Sequence, residues 1–151
     1  ALRLKPLERV LPTARTHGVG IIARVPLASG LLSGRFDENT TFAENDHRNF
    51  NRAGEAFDVG ETFAGVPYDV GLSAVAQLRE LVPEGMSLAQ FALRWVVDQP
   101  GVSTVIPGAR SAAQARANAS VADLDPLTDE HFAGVRRIYD DLVRPHVHHR
   151  W

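Results

Sequence analysis

Two short apolar runs constrain this chain more than anything else in it: Gly-Val-Gly-Ile-Ile-Ala-Arg-Val at residues 18–25 and Val-Ser-Thr-Val-Ile at residues 102–106. Both are rich in β-branched residues and lack polar–apolar alternation, the pattern of parallel strands covered on both faces. Pro26 closes the first, and Pro107-Gly108 stops the second. Parallel strands need neighbours on each side and helices over both faces. Two strands cannot supply that. The sheet is expected to be completed by another copy or chain, or by earlier strands of a larger αβ protein.

The rest of the periodic sequence is helical. Leu4, Leu7, Val10, Leu11 and Ala14 recur at spacings of three and four, with Pro6 near the start and Gly18 at the end. Leu72, Val75, Leu78 and Val82 give a second helix, ended by Pro83 and Gly85. Ser87 with Gln90 is a capping box opening a third, whose Leu88, Phe91, Ala92, Trp95 and Val96 are core candidates. Ser111 with Gln114 opens a fourth over residues 112–121. Thr128 caps a fifth, with Asp129 and Glu130 at its positive end and Phe132, Val135, Ile138, Tyr139 and Leu142 along one face. Helices alternating with buried strands make an α/β chain.

Between the first strand and the second helix, residues 27–68 lose all periodicity while glycines recur. A stretch this long is either disordered or functional. Phe36, Phe42, Phe50, Phe57 and Phe63 are poor material for a solvated linker, so the stretch reads as a functional loop insertion.

Composition narrows the partners. With 151 residues, 44% apolar and 23% charged, the chain is ordinary globular material for about one domain. A net charge of -2 offers no basic surface for a phosphate backbone or anionic lipid, so neither nucleic acid nor membrane is expected. No apolar run approaches the roughly 20 residues that span a bilayer. The absence of cysteine rules out disulfides and thiolate chemistry and fits a reducing cytoplasm.

Chemistry is expected where strands end. The turn Ile106-Pro107-Gly108-Ala109-Arg110-Ser111 leads into a helix, where free backbone N–H groups and the helix dipole favour an anion and Arg110 adds a fork of donors. The plain reading is a capped βα turn; the functional one is a nucleotide-phosphate site. After the other strand, a small-residue loop runs from Pro26 to Gly34 with Arg24 and Arg35 at its ends. Loops after the strands of a parallel sheet hold the ligand, and two on one face are worth more than either alone. His146, His148 and His149 read as a tail without fixed geometry that takes metal only adventitiously. His47, beside Asp46 and Arg48, reads as a surface hydrogen-bonding group.

These segments, Gly-Val-Gly-Ile-Ile-Ala-Arg-Val-Pro-Leu-Ala-Ser-Gly-Leu-Leu-Ser-Gly-Arg-Phe, Ser-Leu-Ala-Gln-Phe-Ala-Leu-Arg-Trp-Val-Val and Val-Ile-Pro-Gly-Ala-Arg-Ser, are specific when taken in this order. With them the chain resembles the C-terminal half of an aldo-keto reductase, an NAD(P)H-dependent TIM (β/α)8 barrel. The resemblance implies a single partial domain over residues 1–151, incomplete as a barrel, with strands seven and eight present and residues 27–68 inserted after the former. It implies that Pro26, Leu27, Ser29, Gly30 and Leu31 lie along the cofactor pyrophosphate between Arg24 and Arg35. Gly108, Ala109 and Arg110 would approach the 2′-phosphate, and Gln114 and Asn118 the adenine.

Two departures from the family pattern matter. Arg24 stands where many members stack an aromatic ring on the nicotinamide, and Gly108 where a lysine often binds the 2′-phosphate. Arg110 can replace that lysine, so NADP is favoured, with NAD still possible. The family's Asp, Tyr, Lys and His tetrad belongs to the N-terminal half, and neither Tyr68 nor Tyr139 matches its tyrosine. No catalytic residue and no metal ligand is therefore assigned. The expectation is the cofactor-binding half of a reductase that turns a carbonyl into an alcohol once the missing N-terminal half or another chain completes it. The chain alone is expected to be inactive. The alternative is a non-catalytic assembly module that completes a barrel with another chain.

Overall fold

The computed structural model describes residues 1–150. A 3-10 turn, Lys5–Leu7, precedes helix α1, Val10–Thr16. The single helix expected from Leu4 to Ala14 is therefore broken, and Pro12 explains why. Its ring conflicts with a helical carbonyl four residues earlier, at Glu8, so the helix starts afresh with Pro12 in its first turn, where a missing N–H costs nothing. The apolar face divides accordingly: Leu4 and Leu11 are buried, while Val10 is 54% exposed.

Strand β1, Ile21–Arg24, pairs in parallel with β2, Val102–Ile106, with Arg24 opposite Ile106 and an irregularity between Ile21 and Ile22. These are the only strands among the described residues. The cover expected on both of their faces is absent here. Ile22 is 62% and Ile106 53% exposed, and neither strand contributes a residue to the core. An apolar cavity of about 440 Å³ lies beside β1, lined by Leu7, Val10, Ile22, Val25, Trp95 and Val96 among others.

The insertion is folded. It holds a kinked 3-10 segment, Ala28–Ser33, a short helix α2, His47–Phe50, and two 3-10 turns, Val59–Glu61 and Phe63–Gly65. The rings of Phe36, Phe42, Phe63 and Tyr68 pack together at centroid distances of 5.1–6.5 Å. Phe50 and Phe57 make a separate edge-to-face pair that stays exposed.

The core lies among helices and insertion, away from the sheet. Helix α3, Tyr68–Arg79, contributes Ala74, Val75 and Leu78, and α4, Leu88–Val97, contributes Leu88, Phe91, Ala92 and Trp95. The Ser87–Gln90 capping box opens α4 as expected. Helix α5, Ala112–Ala119, buries nothing and tightens into a 3-10 turn, Ser120–Asp123, whose Val121 is buried. Helix α6, Asp129–Ile138, starts at Thr128, whose backbone N–H donates to His131 Nδ1 at 3.1 Å.

Beyond α6 the chain passes through a π-turn, Tyr139–Val143, into α7, Arg144–Val147, and a last 3-10 turn, His148–Arg150. The unstructured histidine tail expected from sequence is thus an ordered element. Val147 is buried, His148 Nδ1 meets the Tyr139 hydroxyl at 2.9 Å, and its Nε2 lies 3.3 Å from the Glu8 carboxylate. Short-range polarity hid this, because several of the contacts that order the tail, from Lys5, Glu8 and Asp58, come from far away in the sequence. Among the described residues no helix is long and apolar enough to cross a membrane.

Candidate functional site

Parallel pairing in this register brings the segments that follow Arg24 and Ile106 to the same end of the sheet. The first of them is strained. Val25, Ala28 and Ser29 have φ of 47°, 49° and 56°, in the left-handed region that a β-branched residue such as Val25 almost never enters. The other non-glycine residues of positive φ among those described are Phe63, at 48°, and Ala64, at 60°. They lie in the 3-10 turn that packs directly on the 28–33 segment. Each such residue costs about 1–3 kcal/mol and persists only where its surroundings over-determine it.

Ser29 is where those surroundings converge. Its hydroxyl donates to the Glu61 carbonyl at 3.2 Å, accepts the Phe63 N–H at 3.3 Å and lies 3.4 Å from His47 Nε2. Arg48 Nη1 donates to its carbonyl at 3.4 Å. Arg24, 70% exposed, pairs with Glu61 at 3.8 Å. Pro26 and Leu31 are buried, Leu27 and Gly30 half-buried, and Arg35 is exposed at the far end. Ser29 is thus held by hydrogen bonds within the chain and Leu31 is buried in the core. His47 does hydrogen-bond, to Ser29, in keeping with its reading from sequence.

The second segment is open. Gly108, Ala109 and Arg110 are exposed, and a Cβ at Gly108 would meet nothing within 4 Å. Ser111 Oγ accepts the Gln114 N–H at 3.2 Å, but the Gln114 carbonyl oxygen accepts from the backbone of Arg110, at 2.7 Å, one residue before the cap. Asn118 Nδ2 donates to the Gly108 carbonyl at 3.2 Å. Gln114 and Asn118 therefore brace the turn from within α5. The Arg110 guanidinium enters none of the ion pairs among the described residues, and α5 has no acidic residue in its first turn. An unpaired guanidinium at the start of a helix suits a phosphate group.

Below the loop, Arg48 grips Asp46 through Nε at 2.9 Å and Nη2 at 2.5 Å and lies 4.5 Å over the Phe42 ring. This hydrogen-bonded guanidinium holds the Asp46 carboxyl well below the usual carboxylate range. A depressed pKa contributes stability that is complete above the unfolded value of about 3.9 and lost as pH falls below it. Acidification from about pH 5 to about pH 2 is therefore expected to expose residues 36–63 to protease before the helical core opens. In Asp46→Asn the insertion should already be protease-sensitive at neutral pH and respond less to acid; an unchanged acid profile would contradict this.

Neither tyrosine is placed to donate a proton here. Tyr68 donates to the Asp37 carbonyl at 2.8 Å, and Tyr139, 2% exposed, is engaged with His148. No cluster of metal-ligating side chains occurs among the described residues.

An open parallel pair with both following loops at one end of the sheet is the arrangement of parallel α/β folds, open or closed into a barrel. Residues 2–140 match the aldo/keto reductase family, and the chain belongs to it. It is 32% identical over 131 residues to a probable voltage-gated potassium channel subunit beta of Arabidopsis thaliana, covering 83% of this chain and 36% of that one. It is 34% identical over 112 residues to an aldo-keto reductase of Bacillus subtilis, covering 73% of this chain and 31% of that one. Among solved structures, a glycerol dehydrogenase from Gluconobacter oxydans superposes with a TM-score of 0.69 at 28% identity, over 94% of this chain and 39% of that one. The chain is an α/β fragment of the family's TIM-barrel fold, spanning about a third of the length of these relatives.

Sequence reasoning missed Asn51 and Thr62, 0% and 1% exposed, which tie the insertion together. It also missed the left-handed Val25, Phe63 and Ala64. Asn is an ordinary loop residue, and nothing in a local pattern marks a non-glycine residue for positive φ.

Proposed function

We propose that the chain is the C-terminal, cofactor-binding half of a cytoplasmic NADP-dependent aldo-keto reductase, with β1 and β2 as barrel strands seven and eight. The observation that carries this is the parallel register, which sets the loop after β1 and an open, cationic helix start at one sheet end. The backbone from Pro26 to Leu31 would follow the pyrophosphate, flanked by Arg24 and Arg35. Gly108, Ala109 and Arg110 would hold the 2′-phosphate, and Gln114 and Asn118 would fix the adenine end. The dihydronicotinamide supplies a hydride to a small-molecule carbonyl when bound. This chain's part is to bind and orient; the proton for the alkoxide must come from the other half, because general acid catalysis needs a donor within reach and neither tyrosine is one.

A second reading, an assembly module without catalysis, draws support from the exposed faces of β1 and β2 and from the likeness to channel beta subunits. One experiment separates the two. The chain alone should oxidise no NADPH with a panel of aldehydes and ketones, and co-folding with the N-terminal half of a family member should produce turnover. NADPH binding without turnover would favour the assembly reading. Turnover by the isolated chain would overturn the assignment of the acid to the other half.

A further inference from the structure

The strain in the loop after β1 needs a counterweight within the chain, and the insertion contains one. Asn51 and Thr62 are a buried polar pair. Asn51 Oδ1 accepts the N–H groups of Ala56 and Phe57 at 3.0 and 2.8 Å, while its Nδ2 donates to Thr62 Oγ1 at 3.1 Å and to the Asp58 carbonyl at 3.5 Å. One side chain thus closes residues 51–62 into a ring. From the Thr62 end of that ring, Phe63 reaches Ser29 through its backbone N–H; from the other end, His47 and Arg48 of α2 reach the Ser29 hydroxyl and carbonyl. A fully satisfied buried network of this kind fixes geometry, whereas removing one partner leaves the other unsatisfied at full desolvation cost.

We propose that residues 46–65 form a clip that holds the loop after β1 in its left-handed path before any ligand arrives, with Asn51 and Thr62 as positioning residues acting through Ser29. Four of the five strained non-glycine residues, Ala28, Ser29, Phe63 and Ala64, lie in the loop segment and in the turn of the clip that packs on it. Nothing else among the described residues grips Ser29. The consequence for binding rests on the proposed function: a loop set in advance presents its backbone to a pyrophosphate without first paying to order itself.

Four amides report on the loop, those of Ala28, Gly30, Leu32 and Gly34, each hydrogen-bonded within it. In the full chain, Thr62→Val should raise their hydrogen exchange about tenfold, the effect of one lost buried hydrogen bond. Thr62→Ser, which keeps the hydroxyl, should restore the wild-type rate, and amides in α3 and α4 should not change. Asn51→Ala should act in the same direction more strongly, and if it unfolds, the Thr62 pair decides. Loop amides that keep the wild-type rate in Thr62→Val while residues 54–62 loosen would overturn the proposal, as would failure of Thr62→Ser to restore protection. In the completed barrel, NADPH should leave Thr62→Val faster than wild type or Thr62→Ser. The exchange measurement uses no nucleotide, so its failure removes the clip alone. A wild-type barrel that binds no NADPH removes the proposed function and leaves the clip standing.

Discussion

Arg110→Ala is expected to weaken NADPH binding by the completed barrel roughly tenfold to a hundredfold, the loss of about 1.5–3 kcal/mol for a charge-assisted contact, while NADH binding stays nearly unchanged. The reason is geometric. Arg110 is exposed at the start of α5, forms no ion pair among the described residues, and has its backbone pinned by Gln114, so its side chain is spare for a 2′-phosphate. Asn118→Ala should weaken both nucleotides alike, since it removes a group at the adenine end and frees the Gly108 carbonyl that holds the turn. Titrating both cofactors against both variants is the measurement. Equal losses of NADPH and NADH in Arg110→Ala would remove the reason for preferring NADP.

The parts of this fold that sequence announces are those governed by near neighbours. β-Branched runs marked both strands, and the Ser87–Gln90 box marked the start of α4, because each signal is local and self-contained. The break between the first 3-10 turn and α1 went unread, although Pro12 carries it, since its consequence for Glu8 follows from helix geometry alone. The aromatics of the insertion foretold a folded segment, but their partners did not follow from spacing. Phe63 joins Phe42 and Tyr68, while Phe50 pairs with Phe57 and stays exposed.

What sequence misplaces is burial, because burial depends on what stands opposite. The composition of β1 and β2 describes strands covered twice, whereas this chain covers them on one side and puts its core elsewhere. The histidine tail fails for the related reason that Glu8 and Lys5, which hold His148, lie far away in sequence. The candidate site divides along the same line. The open turn at Gly108 was readable from a strand end, a glycine and a capping residue. The grip on Ser29 was not, since it is made by groups 18 to 34 residues away.

That division has a measurable counterpart in stability. Phe91 of α4, 1% exposed and 5.9 Å from the His131 ring of α6, belongs to the core that this chain completes by itself. Phe91→Ala should cost about 3–5 kcal/mol, a large share of the roughly 5–15 kcal/mol that stabilises a natural domain, and should lower the urea midpoint of the chain accordingly. Ile22, on the open sheet, should behave as a surface residue, with Ile22→Thr costing no more than about 0.5 kcal/mol in the chain alone. Once the remaining strands cover it, the same substitution would place a hydroxyl where an apolar side chain is wanted, and its cost should rise to roughly 1.5–3 kcal/mol. The two values, measured by denaturation of the chain and of the co-folded barrel, read out directly whether β1 is an interior strand. If Ile22→Thr costs as little in the barrel as in the chain, that face of β1 stays open and the assembly proposed for it is wrong.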